Sequence, residues 1–279
     1  MKVLTGKTAV VTGAASGIGA ATAIAFAKEG MNVVIADVQE ENLEIVANQI
    51  INLGVECISI RTDVSDSRQI EKLAEVTLLK FRSVDVLFNN AGVLHVASIL
   101  EHSENDWQWV LGVNLFGVIN CVRVFAPIMK TQNTEAHIVN TASIGGFTTG
   151  PGLAAYKTSK HAVVAFSEVL EAELTDTSIG ISVLCPGWTN TGIMQGDVTR
   201  PERYKDSTTE NRNTNEATRN IRRGIKSAKR GAEPDEIAKC VLTGIKNDEF
   251  FIIPDRSFHE KFQDRVSRIL GKVLSSEND

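Results

Sequence analysis

The sequence predicts a doubly wound α/β fold, in which a parallel sheet of seven strands carries helices on both faces. Short, β-branched apolar runs alternate with helix-length segments of 3.6-residue periodicity along most of the chain. The apolar runs are nearly unbroken, as expected for parallel strands that are buried on both faces. A glycine-rich turn follows the first of these runs and is itself followed by a helical pattern.

The predicted elements follow one another in strand and helix order. The first strand spans residues 8–11, and Ile18, Ala21, Ala25 and Phe26 indicate the first helix by their spacing. The later strands are predicted at 33–36, 55–60, 84–88, 137–141, 181–184 and 250–253, with helices over about 40–53, 66–82, 104–130 and 155–175. Because parallel neighbours need crossover connections, this alternation predicts right-handed βαβ units and a Rossmann-like sheet.

Two regions depart from this pattern. Residues 190–232 contain few large apolar side chains, and residues 200–230 contain ten Lys or Arg against four acidic residues. We interpret this insertion in the single domain of residues 1–255 as either a solvated loop or a lid over a substrate. In the tail, residues 256–279, apolar residues recur every three or four positions, which predicts a helix. We expect that helix to dock on its own or a neighbouring subunit, with peripheral membrane contact as the alternative.

Composition and charge limit the class of protein. The 279 residues include 29 Lys and Arg against 34 Asp and Glu, a net charge of -5, which argues against a nucleic-acid-binding surface. No apolar stretch approaches 18 uninterrupted residues and no signal-peptide pattern is found, so we expect a cytoplasmic protein without an integral membrane segment. The four cysteines lie at least 55 residues apart, and no metal site is predicted.

The turn after the first strand has the pattern of a phosphate-binding loop. It runs from Thr12 through Gly13, Ala14, Ala15, Ser16, Gly17, Ile18 and Gly19. Glycines allow the backbone to approach a pyrophosphate, and the next helix offers unpaired N–H groups and the positive end of its dipole. Because a strand precedes this turn and a helix follows it, the sequence predicts a dinucleotide site here.

Asp37, at the end of the second strand, predicts which dinucleotide binds. A carboxylate at this place accepts hydrogen bonds from both ribose hydroxyls and repels a 2′-phosphate. Neither Val38 nor Gln39 is basic, and the glycine-rich turn carries no Lys or Arg. The sequence therefore favours NAD(H) over NADP(H), while an N-cap role for Asp37 is the alternative.

Further motifs follow the ends of the later strands. They are Asp63-Val64, Asn89-Asn90-Ala91-Gly92, Asn114, Ser143, Tyr156-Lys157-Thr158-Ser159-Lys160 and Pro186-Gly187. With the glycine-rich turn, their order and spacing resemble the short-chain dehydrogenase/reductase family of the single-domain type. The resemblance covers about residues 5 to 255, and the combination is more specific than any one motif.

The candidate catalytic residues are Asn114, Ser143, Tyr156 and Lys160. Tyr156 and Lys160 lie four residues apart, on one face of a helix. Lys160 and the oxidised nicotinamide supply positive charge, so we expect a lowered pKa for Tyr156, which moves the hydroxyl proton. Ser143 leaves the carboxyl end of strand five, where its hydroxyl can hold the substrate oxygen. The resemblance implies that Asn114 holds a water that links the lysine to solvent.

For the cofactor, the resemblance implies contacts along the whole carboxyl edge. Asp63 accepts a hydrogen bond from the adenine amino group, and Lys160 binds the nicotinamide ribose. The segment from Pro186 contacts the nicotinamide amide, with either Thr189 or Thr191 as donor. The predicted cofactor-binding residues are Gly13, Ser16, Gly17, Ile18, Gly19, Asp37, Val38, Asp63, Val64, Asn90, Ala91, Gly92, Tyr156, Lys160, Pro186, Gly187, Thr189 and Thr191.

The residues expected beside the substrate are mostly apolar. They are His95, Ser143, Gly145, Phe147, Leu153, Trp188 and Met194. This composition predicts a hydrophobic secondary alcohol or its ketone, cyclic compounds included. His95 is either a proton partner or a structural histidine.

The predicted function is an NAD(H)-dependent oxidoreductase that interconverts such an alcohol and its ketone by hydride transfer. The alternatives are an NADP(H)-dependent reductase, a dehydrogenase of acyl-CoA or other acidic substrates attracted by the basic insertion, and a non-catalytic dinucleotide sensor. The helices at about 104–130 and 155–175 correspond to the family's usual subunit contacts. The resemblance therefore implies a homodimer or homotetramer.

Overall fold

The computed structural model describes residues 1–205 and 231–274, and the strands in these ranges form one parallel sheet of seven strands. Their order is β3-β2-β1-β4-β5-β6-β7, so the direction of winding reverses at β1, which pairs with both β2 and β4. The strands are β1 (Thr8–Thr12), β2 (Asn32–Asp37), β3 (Cys57–Arg61), β4 (Val86–Asn89), β5 (Ala136–Thr141), β6 (Ile179–Leu184) and β7 (Phe251–Ile252). The predicted Rossmann-like sheet is confirmed.

Helices alternate with the strands as predicted, except that the helix before the last strand was not predicted from the sequence. They are α1 (Gly17–Lys28), α2 (Glu40–Ile51), α3 (Ser67–Phe81), α4 (Glu104–Leu111), α5 (Gly117–Gln132), α6 (Ala154–Leu174), α7 (Pro234–Asn247) and α8 (His259–Leu274). The ends of α3 show the local reasons for these bounds. The Asp66 side chain accepts a hydrogen bond from the Arg68 N–H, and Arg82 adopts the left-handed conformation that ends the helix.

Two apolar layers hold the helices against the sheet. Along β1, Ala9 and Val11 belong to the layer under α1, α2 and α7, whereas Val10 belongs to the layer under α3, α5 and α6. This alternation follows from the two-residue repeat of a strand. Since both faces are covered, Val10 and Val11 are fully buried.

The single helix predicted over 104–130 contains a π-helical turn, Gly112–Phe116, between α4 and α5. The continuous segment Glu104–Gln132 has the length and apolar composition of a membrane-spanning helix, and half of its most apolar window is buried inside the fold. Trp109, Val110 and Phe125 are among its fully buried residues. A helix that is apolar on all sides is typical of a domain interior as well as of a membrane span. The burial of these side chains inside the fold is that of a core helix.

The first part of the predicted insertion lies against the domain. Short 3₁₀ helices span Gly192–Thr199 and Glu202–Tyr204, whereas residues 206–230, with most of the basic charge, lie outside the described residues. Arg200 is 4% exposed and donates to the Asp106 carboxylate of α4 at 2.6 Å. Its guanidinium also donates to the Tyr204 carbonyl and lies over the Trp109 ring. A buried ion pair thus ties the segment to the domain.

The tail helix α8 packs on its own chain. The Phe258 ring is stacked on Phe147 with 5.6 Å between centroids, and Phe262 meets the same ring edge-on at 5.5 Å. Arg265 donates to the Phe147 carbonyl at 3.2 Å. Further along the helix, Ile269 and Leu270 are more than half exposed. The start of α8 is therefore held beside the loop that follows β5.

We predict that Arg200→Met lowers the free energy of unfolding by about 3 to 5 kcal/mol, because it leaves the buried Asp106 carboxylate without its guanidinium. Arg203→Met is the matched control, since the half-exposed Arg203 forms a surface pair worth less than about 1 kcal/mol. Denaturant unfolding of both variants measures the difference. Equal losses would contradict a structural role for the buried pair.

Candidate active site

One cavity of about 690 Å³ runs along the carboxyl edge of the sheet. Parallel strands bring their carboxyl ends to the same edge, so residues far apart in sequence line it together. Of the predicted site residues, those lining it are Gly13, Ser16, Gly17, Ile18, Asp37, Val38, Asp63, Val64, Asn90, Ala91, Gly92, Ser143, Gly145, Leu153, Tyr156, Lys160, Pro186, Gly187, Trp188, Thr189 and Thr191. Gly19, Asn114, His95, Phe147 and Met194 lie outside its lining.

The glycine-rich turn needs its glycines for backbone conformation and close packing. Gly13 and Gly17 have positive φ angles of 65° and 55°. A Cβ on Gly13 would lie 2.6 Å from the Ala91 Cα, and one on Gly19 would collide with the Gly13 carbonyl. Gly19 thus lets α1 approach the turn, while Ser16 precedes the helix without forming a side-chain cap. Ser16, Gly17 and Ile18, at the start of α1, line the cavity.

Asp37 joins the end of β2 to the glycine-rich turn. One carboxylate oxygen accepts a hydrogen bond from the Ala15 N–H and the other from the Gln39 N–H, both at 3.0 Å. The residue before α2 is Gln39, so Asp37 is not the N-cap of that helix. Its carboxylate is held in place and lines the cavity, which leaves it available to a ribose.

Asp63 lies further along the same edge and is engaged by two neighbours. One carboxylate oxygen accepts from the Ser65 N–H and hydroxyl, and the other accepts from Arg203 at 2.6 Å. Burial raises the pKa of Asp63, but the hydrogen bonds from Ser65 and Arg203 together lower it by more, so the net shift of the pKa is downward. Sequence reasoning missed Arg203, because 140 residues separate the partners.

Asn90 links β4 to β1. Its side-chain amide donates to the carbonyls of Thr12 and Gly13, both at 3.1 Å. The Thr12 hydroxyl in turn accepts the N–H groups of Asn90 and Ala91. The position where the sheet changes its winding direction is therefore closed by side-chain hydrogen bonds, and the cavity passes across it.

Ser143, Tyr156 and Lys160 converge on one part of the cavity. The Ser143 hydroxyl donates to the Pro186 carbonyl at 3.3 Å, and a Cβ on Gly145 would lie 3.4 Å from both Ser143 Oγ and Tyr156 Cε1. Lys160 is 3% exposed, donates to the Thr141 carbonyl at 2.7 Å, and lies 5.7 Å from the Tyr156 ring centroid. A hydroxyl, a phenol and an ammonium group thus face a common space.

Burial shifts the pKa values of Tyr156 and Lys160 in opposite directions. Burial raises the pKa of Tyr156, and a hydrogen bond with the Ser143 side chain offsets part of that rise. Burial lowers the pKa of Lys160 to about 8. Without the cofactor, the pKa of Tyr156 is therefore raised, because desolvation of the phenol outweighs the hydrogen bond with Ser143. The lowered pKa expected from the sequence includes the positive charge of the oxidised nicotinamide and stays a prediction for the complex.

Asn114 lies in the π-helical turn and is fully buried. Its side chain forms two hydrogen bonds with the Val93 backbone, at 2.8 and 2.9 Å, and donates to the Ser159 hydroxyl at 3.1 Å. Ser159 stands between Tyr156 and Lys160 on α6. Asn114 therefore positions the helix that carries these two residues, and a Cβ on Gly92 would lie within 4 Å of both Asn114 and Lys160.

The predicted substrate residues divide into two groups. Gly145, Leu153 and Trp188 line the cavity beside Ser143. His95 is buried 3.6 Å from Asp106 and meets the His102 ring edge-on. The Phe147 ring faces Phe258 and Phe262 of the tail. Met194 packs on the cluster of Leu94, Val96 and Leu153 instead of reaching the cavity.

Several cavity residues were missed by sequence reasoning. They include Trp109, Val113, Thr141, Lys157, Thr199, Pro201, Ser257, Phe258 and Lys261. Lys157 is adjacent to Tyr156, so its place in the motif was a usable signal. Ser257, Phe258 and Lys261 come from the tail, whose periodicity indicates a helix but not the surface that it covers.

The cavity fits a nicotinamide dinucleotide. Only small groups are tolerated at Gly17, where a Cβ would lie 2.9 Å from the Thr191 methyl. Thr141 lines the cavity, and its hydroxyl is buried without a hydrogen-bond partner in the described chain, as expected for a group that serves a polar ligand. In the described ranges, no group of three or more His, Cys, Asp or Glu is placed to hold a metal ion.

Comparison with known proteins agrees with this geometry. Residues 7–202 match the family model described as short chain dehydrogenase. The CLA biosynthesis dehydrogenase/reductase of Lactiplantibacillus plantarum is 30% identical over 272 residues, 97% of this chain and 95% of that protein. The 1-deoxy-11-beta-hydroxypentalenate dehydrogenase of Streptomyces exfoliatus is 38% identical over 68% of this chain and 70% of its own length.

A solved structure shares nearly the whole fold. It is a short chain dehydrogenase/reductase from Burkholderia phymatum in complex with NAD, and it is 39% identical with a TM-score of 0.91. The similarity covers 98% of this chain and 97% of that chain. It extends beyond the family-model match and includes the tail.

We predict that Gly17→Ala weakens NADH binding by about tenfold or more, because a side chain at φ 55° is strained and would displace Thr191. Gly192→Ala is the control, since Gly192 also lines the cavity but has open space around its Cβ position. Fluorescence titration with NADH measures both variants, and thermal unfolding checks that each is folded. Unchanged NADH affinity in Gly17→Ala would contradict the role of the glycine-rich turn in binding the dinucleotide.

Proposed function

The chain belongs to the short-chain dehydrogenase family, and we propose that it is an NAD(H)-dependent oxidoreductase that interconverts a hydrophobic secondary alcohol and its ketone. The observation that carries this proposal is the convergence of Ser143, Tyr156 and Lys160 in a cavity that continues to the glycine-rich turn and Asp37. A dinucleotide sensor would need the glycine-rich turn and Asp37, but it would not need Ser143, Tyr156 and Lys160 together. The complete set of three favours an enzyme.

The preference for NAD(H) rests on Asp37. Its fixed carboxylate lines the cavity at the end of β2. Carboxylate oxygens at this place accept hydrogen bonds from ribose hydroxyls and repel a phosphate on the same ribose. The lining from Ser16 to Val38 contains no Lys or Arg that would favour a 2′-phosphate. The complex of the Burkholderia phymatum protein with NAD agrees with this preference.

When bound, NAD(H) supplies or accepts the hydride at the substrate carbon. In the oxidative direction, the phenolate form of Tyr156 accepts the hydroxyl proton, and in the reductive direction the phenol donates its proton to the carbonyl oxygen. Ser143 holds the same oxygen through its hydroxyl and fixes the substrate carbon at one place. Burial lowers the pKa of Lys160 to about 8, so it carries a positive charge at neutral pH, and this charge stabilises the phenolate form of Tyr156.

The substrate part of the cavity is mainly apolar. Leu94, Leu153, Trp188 and Ile193 contribute to it together with Phe258 of the tail. Such a lining favours an apolar skeleton, with the reacting oxygen held by Ser143 and Tyr156. The names of the two relatives agree with this class, since both are dehydrogenases.

The expected homo-oligomer and cytoplasmic location stay part of the same proposal. Phe116, beside α5, and Val169 of α6 are more than half exposed. Exposed apolar side chains on these helices suit a contact with a second copy of the chain.

We predict that Tyr156→Phe binds NADH like the wild type but loses turnover by about 10²- to 10⁴-fold, because the group that moves the proton is removed. Tyr204→Phe is the matched control, since Tyr204 is the other of the two tyrosines and lies outside the cavity lining. Absorbance at the nicotinamide band with a panel of apolar ketones gives the rates. Near-wild-type turnover in Tyr156→Phe would sink the mechanism.

We also predict that Asp37→Ser lowers the ratio of kcat/KM with NADH to kcat/KM with NADPH by about tenfold or more, because repulsion of the 2′-phosphate is lost. Asp63→Asn is the comparison. Since adenine is common to both dinucleotides, this change should affect the two kcat/KM values equally. A ratio that does not move in Asp37→Ser would mean that Asp37 does not select the cofactor.

A further inference from the structure

The charges that line the cavity are separated by sign. Asp37 and Asp63 lie at the end formed by β2 and β3. Within residues 1–205 and 231–274, the charged residues of the lining beyond Lys160 are Lys157 and Lys261, at the end formed by α6 and α8. The proton-transfer mechanism uses neither of these two lysines. They come from segments more than 100 residues apart, so the tail completes this end of the cavity.

Lys157 is half-buried beside the apolar part of the cavity. Its ammonium group donates to the Thr148 carbonyl at 3.3 Å, on the loop that follows Ser143. Burial lowers the pKa of Lys157, and the positive charge of Lys261 lowers it further. Among the ion pairs formed by residues of the described ranges, none includes Lys157 or Lys261. Two positive charges therefore face one space without a compensating carboxylate from the described chain.

Lys261 is held at this place by the packing of α8. Phe258, one turn before it, is stacked on Phe147, and Arg265, one turn after it, donates to the Phe147 carbonyl. The acidic residues nearest to Lys261 in sequence are Glu260 and Asp264, both exposed on α8, and Asp255, which accepts hydrogen bonds from the Ser257 N–H and hydroxyl. Helix α8 thus places the exposed Lys261 one turn after Phe258, and both residues line the cavity.

From this arrangement we infer that the substrate is an apolar alcohol or ketone that carries an anionic oxygen group, a carboxylate or a phosphate, bound by Lys157 and Lys261. The apolar skeleton lies between this group and the reacting oxygen at Ser143 and Tyr156. The inference rests on the proposed function and names the substrate class for the same site. It depends on lysines of α6 and α8 and not on the basic residues of the insertion.

Charge balance favours an anion between the two lysines. Two ammonium groups that repel each other are unfavourable when one of them is half-buried. An anionic group between them replaces this repulsion by two charge-assisted hydrogen bonds, which are stronger than neutral ones. The cofactor phosphates are the other anions of the site, and their place is the N-terminus of α1, at the glycine-rich turn. The lysines stand on α6 and α8, beside the substrate residues.

The first experiment compares substrates that differ only in charge. A graded series of oxo carboxylic acids, with the ketone at different distances from the carboxylate, is assayed with NADH beside the corresponding methyl esters and phosphate monoesters. We expect the wild type to prefer an anionic member over its ester by about tenfold in kcat/KM. Lys157→Gln and Lys261→Gln should each lower kcat/KM for the anionic substrate by about three- to tenfold and leave the ester unchanged.

Lys239→Gln is the matched control, because Lys239 is exposed on α7 and lies outside the cavity. This substitution removes the same net charge as Lys157→Gln or Lys261→Gln. It should leave the preference of the wild type intact. The ratio between carboxylates and phosphates identifies which anion the two lysines bind. Equal kcat/KM of the wild type for anions and esters would overturn the inference and leave the proposed function standing. The same holds if Lys157→Gln and Lys261→Gln lower kcat/KM for the esters as much as for the anions.

A binding measurement keeps the two proposals separate. Trp109 and Trp188 line the cavity, so their fluorescence reports ligand binding in the presence of NAD. Non-reactive carboxylic acids should bind more tightly than their primary amides, and Lys157→Gln should reduce the difference by about three- to tenfold. Equal binding of acids and amides would overturn the inference. Tighter acid binding without turnover of any ketone would retain the inference and reject the proposed function. A raised KM for NADH in both lysine variants would assign the lysines to the cofactor and overturn it.

Discussion

Parallel pairing of all the strands in the described sheet is the constraint on which the rest of the structure depends. Because every strand points in the same direction, each of the first six delivers its following residue to one edge. Gly13, Asp37, Asn90, Ser143 and Pro186 come from five different strands and share one cavity there. The reversal of strand order at β1 opens the space into which a ligand fits. Asn90 and Thr12 then close the seam between the two halves.

Desolvation at the catalytic end of the cavity has opposite effects on the pKa values of two neighbouring side chains. Burial raises the pKa of Tyr156 and lowers the pKa of Lys160 to about 8, so each group is shifted toward its neutral form. Charge introduced into this space is therefore felt strongly, because little water screens it. The Ser143 hydroxyl and the Thr141 carbonyl are the polar groups that orient the pair.

Much of the fold and the cofactor end of the site is predictable from local sequence. Strand runs, the glycine-rich turn and the four-residue spacing of Tyr156 and Lys160 are patterns within a single element, and local physics determines them. Arg203 on Asp63 and Lys261 near Lys157 could not be predicted, since each contact joins residues at least 100 positions apart. Phe147 shows the same limit. It follows Ser143 closely, but the tail helix determines where its ring lies.

The most direct test of the central claim is to follow a hydride through the site. A ketone from the apolar series is reduced with NADH that carries deuterium at nicotinamide C4, and mass spectrometry locates the label in the alcohol. The account predicts that deuterium from one face of the ring appears at the carbinol carbon and does not exchange with water. Bound ketone and bound dinucleotide with no transfer of the label would contradict the assignment of this cavity as a redox site.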